Sequence, residues 1–377
     1  MKKAYNEVWV KNAAIQAQAE NWQQQGLLSD ATLQKIKTTL PDESYQPMIW
    51  IKIGLFIFAN IAFMFGSALI GLFGFFEIWG IFGLLNSVGA LVVLELIIKN
   101  RKLRHSGVDN ALLYIALSGF TAFVFSFFET SPNVVLWIML PVLACAVYRY
   151  ADQLVALGLL LAVFYLLSTV LFESTLGKML APFAFMAVAG AVYALVRGKS
   201  EQFHFLYWAN CYWIWEVSAL ILCYLSVNYA VVRSGSEALL GSKGEIQFAA
   251  LFWGFTFLIP LVYLYFSVRQ KDRKLLIIGI LSVIGAVITF LAYFPIVPTE
   301  LALLAGGLLL LGVSISLIRY LQIQRHGLTD QPDAAMPHWL KAQNLVLSQL
   351  AQQTLQQSPD LKMGDGDFGG GGAGDKY

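Results

Sequence analysis

The residues that could do chemistry in this chain are the few polar groups set inside long apolar runs. Glu216 is the foremost of them. It lies near the middle of an apolar stretch over 204–227, where a charged side chain costs roughly 2.5–3.5 kcal/mol to insert in a bilayer, so it must face protein or water and not lipid. Two readings of it stand. As a protonatable carboxylate with a pKa raised by desolvation, it would couple proton movement to a solute. As a structural group, it would be protonated and hydrogen-bonded to a neighbouring helix or to Tyr212, one turn before it. Tyr212, Trp213 and Trp215 continue the aromatic segment that begins at His204. Such rings either line a pocket for an apolar or cationic solute or form an interfacial belt, and the belt suits His204 to Trp208 better. Asn60 and Asn86, also within apolar runs, are candidates for ligand contact or for interhelical hydrogen bonds worth about 1 kcal/mol or less.

Other chemistries find little support. The four histidines, at 105, 204, 326 and 338, are far apart, and Cys145, Cys211 and Cys223 lack ligand spacing, so neither a metal nor any other cofactor is expected. Ser118-Gly119 has no recognisable catalytic partner, and the Gly-rich run 369–372 follows no strand and makes no phosphate loop. Catalytic residues are therefore not expected, and the chain reads as a non-enzyme. Its net charge of +2, spread over short loops, speaks against a nucleic-acid partner.

The elements that must position these residues are membrane spans. Hydrophobic residues make up 58% of the 377 and charged residues only 13%, which excludes an ordinary soluble globular protein. The apolar blocks predict ten spanning helices at about 48–73, 76–98, 109–128, 133–148, 153–172, 178–196, 204–227, 246–267, 274–291 and 299–318, each near the length that crosses a bilayer. The fourth is short and contains Pro141, so a tilted, broken or re-entrant segment is an alternative. Of the 25 Lys and Arg residues, only Lys178, Arg233 and Lys243 fall on one side of this alternation. That asymmetry predicts both termini in the cytoplasm. The fold class is an all-α polytopic helix bundle whose partner is the lipid bilayer.

The chain ends are of different composition. Residues 1–47 predict a small helical hairpin: Gly26 stops a first helix, Ser29 N-caps a second with Leu28 and Leu33 as a staple, and Pro41 ends it. Residues 48–318 form the membrane domain. Residues 319–377 form a tail with an amphipathic, Gln-rich stretch from Trp339 to about Gln357 and a Gly-rich tip too polar to fold alone. The segment Asn21-Trp22-Gln23-Gln24-Gln25-Gly26-Leu27-Leu28-Ser29, with Leu33 and Ile36, resembles the helical hairpin that precedes the multi-pass region in the bacterial family called domain of unknown function 2157. The resemblance covers residues 8–40 in detail and the rest in layout. It implies a bacterial inner-membrane protein and brings no catalytic or binding residues with it.

Two functions of different class fit these observations. One is a transporter or flippase of an apolar or amphiphilic solute, with Glu216 as coupling group and breaks at Pro141, Pro182 or Pro260. The other is a membrane scaffold or sensor that recruits a cytoplasmic protein through residues 1–47 and 331–377.

Overall fold

The structure, a computed structural model, describes residues 2–72, 79–128, 132–241 and 246–294, together with single positions between 304 and 319. It is an all-α polytopic bundle. The chain enters through α1 (Glu7–Gln24) and α2 (Asp30–Thr39). Asn6 caps α1 through Val8 N, Gly26 turns the chain at φ +74°, and Ser29 caps α2 through Thr32 N. Both helices stop where the local chemistry says they should, α2 one residue before Leu40-Pro41.

Nine helices among the described residues are long and apolar enough to cross a membrane. They are α3 (Ile49–Gly71), α4 (Trp79–Arg101), α5 (Val108–Phe128), α6 (Pro132–Tyr150), α7 (Gln153–Leu171), α8 (Thr175–Val196), α9 (Ala209–Val227), α11 (Ala249–Gln270) and α12 (Arg273–Tyr293). The expected tenth span lies largely outside the described residues, and the Gly-rich tip and the Gln-rich stretch lie wholly outside them. The fourth expected span is one helix through Pro141. Pro182 and Pro260 likewise sit inside continuous helices, so none of the three prolines supplies the break that the transport reading asked of it. Within a bundle, neighbouring side chains can satisfy the carbonyl that proline frees, and the helix bends without opening.

Packing is closest between α4 and α5, α8 and α9, and α11 and α12. The α4–α5 contact shows why. Gly80, Gly83, Ser87, Ala90, Leu94 and Ile98 are the buried positions of α4, spaced three and four apart on one face. Lipid tails give no hydrophobic drive for helix pairing, so small residues that let backbones approach supply the van der Waals contact instead. A Cβ at Gly119 of α5 would come within 2.6 Å of the Gly83 carbonyl oxygen. The lipid-facing sides carry the exposed apolar residues, such as Phe58, Phe65, Leu161 and Leu261.

The hairpin is seated on the end of the bundle where α4 finishes and α5 begins. Ala4 N donates to the Arg149 carbonyl at 3.0 Å, Asn12 Nδ2 to the Pro41 carbonyl at 2.9 Å, and Tyr45 pairs with Leu103 in an isolated bridge. Between α9 and α11, where the sequence reading left a loop, the chain forms a twelve-residue helix, α10 (Tyr229–Leu240). Asn228 starts it by accepting from Ala230 N and Val231 N, and Gly241 stops it at φ +65°. It is too short to span and is amphipathic, the pattern of a helix lying along an interface.

Candidate functional site

At the end of the bundle opposite the hairpin, α8, α10 and α11 enclose a partly open cavity of about 360 Å³. Its wall is mainly apolar: Met179, Pro182 and Phe185 from α8, Val231, Val232 and Leu239 from α10, and Phe252 from α11. Lys178, Ser226, Ser236 and Gln247 supply the polar rim. This size and this balance suit an apolar or amphiphilic molecule oriented by a few polar groups.

The covering helix α10 is anchored at one end. Buried Asn228 donates through Nδ2 to Tyr224 Oη at 3.0 Å and to Thr289 Oγ1 at 3.1 Å, and Tyr229 N donates to Thr256 Oγ1 at 2.9 Å. Tyr229 stacks on Trp253 with ring centroids 4.4 Å apart, and the Arg233 guanidinium lies 4.9 Å from the Tyr293 ring centroid. Its far end is held by a longer bond, Lys178 Nζ to the Leu239 carbonyl at 3.4 Å. Gly235, midway along α10, lines the cavity, and a Cβ built there meets nothing within 4 Å.

Glu216 lies about two turns into α9 and is 1% exposed. Its partner is not Tyr212 but Lys274, from the first turn of α12, whose Nζ is 2.7 Å from Glu216 Oε2. The same ammonium reaches Glu201 at 3.5 Å, outside the bundle. Paired in this way, Glu216 clasps α9 to α12 and brings no net charge into the apolar layer. The aromatic candidates diverge. Trp215 Nε1 donates to the Ala156 carbonyl at 2.7 Å, Tyr212 meets Phe205 and Trp215 edge on, and Trp213 is 41% exposed on the outer face. None of the three lines the α8–α10–α11 cavity. Asn60 Nδ2 donates back to the Phe56 carbonyl, and Asn86 accepts from Ser67 Oγ, joining α3 to α4.

A polar cluster that sequence reasoning missed sits at the hairpin end. Asp109 and Asp152 are 1% and 2% exposed. Asp109 accepts from Tyr5 Oη at 2.6 Å, His105 N at 2.7 Å and Ser106 N at 2.8 Å. Asp152 accepts from Val155 N at 2.9 Å, Tyr114 Oη at 3.0 Å and Asn110 Nδ2. Burial and the Asp109 carboxylate push the Tyr5 hydroxyl well above its ordinary pKa, so it stays a donor. Burial also pulls the His105 imidazole below its ordinary value, against the opposing pull of Asp109. The sequence does hold a signal for each acid. Asp152 is the N-cap of α7, and Ser106-x-x-Asp109 is a capping box at the start of α5. A second cavity of about 370 Å³ opens beside this cluster, with Lys52, His105, Asn110, Asp152 and Asn210 in its wall.

Among the described residues no group of three or more His, Cys, Asp or Glu side chains is placed to hold a metal ion. No family model, curated protein or solved structure matches the chain.

Proposed function

We propose that this multi-pass membrane protein binds apolar or amphiphilic molecules between α8, α10 and α11 and moves them across or between leaflets, as a transporter or flippase. The observation that supports the reading is the apolar, partly open cavity of about 360 Å³ under the amphipathic helix α10. A lipid-like molecule can bury its chain against Phe185, Val232 and Phe252 and keep its polar end near Lys178. The second cavity, at the hairpin end of α7 and α9, would be the other end of the path. Membership of domain of unknown function 2157, proposed on the Trp22 to Ser29 segment, is compatible with this and assigns no activity.

We place the protein in the bacterial cytoplasmic membrane with the hairpin end inside. Support comes from Lys and Arg placement along the sequence, where the alternation of spans leaves only Lys178, Arg233 and Lys243 of the 25 on the side opposite the hairpin. Glu216 serves in this reading as a clasp that must exchange Lys274 for a proton or solute if it is to couple transport.

Binding of a fluorescent fatty acid to the purified chain tests the site. Gly235→Leu, whose Cβ meets nothing within 4 Å, projects a side chain from the cavity wall and should weaken affinity at least tenfold, about 1.4 kcal/mol. Equal affinity in wild type and Gly235→Leu refutes the assignment.

The scaffold reading keeps one observation in its favour. The docked hairpin exposes Val8, Trp22 and Leu27, a surface that a cytoplasmic protein could cover. Deletion of 331–377 separates the two, because a scaffold would lose its phenotype while a transporter would retain turnover.

A further inference from the structure

A third cavity, of about 330 Å³, lies between the segment that leads into α1 and the end of α4, far along the chain from the α10 site. Six of its wall residues are cationic: Lys2, Lys3, Lys99, Lys102, Arg104 and Arg149. Four of these have an acid. Lys3 pairs with Glu7 at 2.7 Å, Arg149 with Glu95 at 2.7 Å, Lys102 with Glu43, and Arg104 with Asp42 at 3.5 Å. Lys2 and Lys99 have no acidic partner among the described residues. The wall therefore carries two positive charges that no acid among the described residues neutralises.

Arg104 gives an independent sign of a missing ligand. It is 8% exposed, and its Nη1 is the one buried side-chain nitrogen or oxygen among the described residues without a hydrogen-bond partner. Leaving such a group unsatisfied is unfavourable, and more so when it is charged. A guanidinium with one unpaired nitrogen, in the same wall as two ammonium groups without an acid, is a donor set that phosphate oxygens can take up.

We propose that this cleft binds a dianionic phosphate monoester, with Arg104 and Lys99 on the phosphate oxygens and Lys2 closing over them from the N-terminal segment. Two uncompensated cations match a dianion, where a single carboxylate would leave one charge unanswered. The volume exceeds that of a bare phosphate ion, so the group arrives on a larger molecule, either a soluble phosphorylated metabolite or a lipid headgroup. The cleft lies where the hairpin meets the end of α4, and its occupancy ties the N-terminal segment to the bundle. The proposal is independent of the α10 cavity and holds or fails without it.

The test uses the full chain in phosphatidylcholine nanodiscs at about 0.15 M salt, where exposed charges are screened beyond roughly 8 Å. One arm titrates glycerol 3-phosphate, with glycerol as control, and reads heat of binding. The other compares nanodiscs containing phosphatidic acid with nanodiscs containing equal phosphatidylserine and reads the thermal midpoint. Saturable binding of glycerol 3-phosphate identifies a soluble source. A rise in midpoint with phosphatidic acid alone identifies a lipid source. In either case Lys2→Gln with Lys99→Gln, both exposed side chains whose loss leaves the unliganded midpoint unchanged, should weaken the effect at least tenfold. Arg104→Lys, which keeps the charge and loses the fork, should weaken it as well. The proposal is overturned if neither phosphate probe binds, if phosphatidylserine acts as well as phosphatidic acid, or if the double substitution changes nothing.

Discussion

Glu216 and Lys274 illustrate how strongly a buried charge depends on its partner. Removing Lys274 strands a carboxylate that is 1% exposed, whereas removing Glu216 leaves an ammonium that still has Glu201 at 3.5 Å and a path outward. Lys274→Met should therefore destabilise by about 3–5 kcal/mol and Glu216→Gln by appreciably less, with the double substitution recovering much of the loss. Denaturation of the purified variants in detergent would show this, and equal losses for the two single variants would contradict it. His105 carries a pH prediction. Its folded pKa lies below the ordinary value of 6.5, so the unfolded state binds more protons as pH falls through 6.5. The associated stability is full above that pH and is lost below it. Thermal midpoints at pH 7.5 and 5.5 should differ, and His105→Asn should reduce the difference, since Asn tolerates the left-handed backbone at φ 47°. From sequence, Glu216 was legible as a buried acid because an ionisable group in an apolar run stands out. Lys274 was not, since a lysine at the start of a span reads as an interfacial anchor until the packing of α9 against α12 is known.

At the scale of elements, the tight α4–α5 crossing and the loose covering helix make opposite predictions. Gly119→Leu must displace the Gly83 backbone, 2.6 Å from the new Cβ, and should cost at least 1–3 kcal/mol of stability. Gly89→Leu, on the same α4 but with nothing within 4 Å, should be close to neutral. A similar loss for both would contradict the assignment of the cost to close approach, since helix propensity favours Leu over Gly at either position. The spans themselves were readable from sequence because about 20 apolar residues have few alternatives to a membrane helix. The hairpin was readable through its caps, Ser29 and Gly26. Helix α10 was not, because its signal is a short amphipathic pattern flanked by Asn228 and Gly241, easily lost beside runs of much higher hydropathy. The prolines misled in the other direction: a residue that breaks helices in water is carried within α6, α8 and α11.

For the whole molecule, the described residues form a bundle with a cavity at each end, joined by α9, which has Ser226 in the wall of the α10 cavity and Asn210 in the wall of the one beside Asp152. The layout was legible in the sequence, but the cavities were not, since they arise where non-adjacent helices fail to close. Neither Tyr212, Trp213 nor Trp215 lines the α10 cavity, while residues that are unremarkable in sequence, such as Met179 and Gly235, do. The most direct test of the account is lipid movement in reconstituted vesicles, read as dithionite quenching of a headgroup-labelled fluorescent phospholipid. Vesicles with the wild-type chain should lose more than half of their fluorescence, those with Gly235→Leu should lose only the outer-leaflet half, and Gly89→Leu should behave as wild type. Quenching confined to the outer leaflet for every chain, or equal for wild type and Gly235→Leu, would contradict the proposal that amphiphiles move through the α8–α10–α11 cavity.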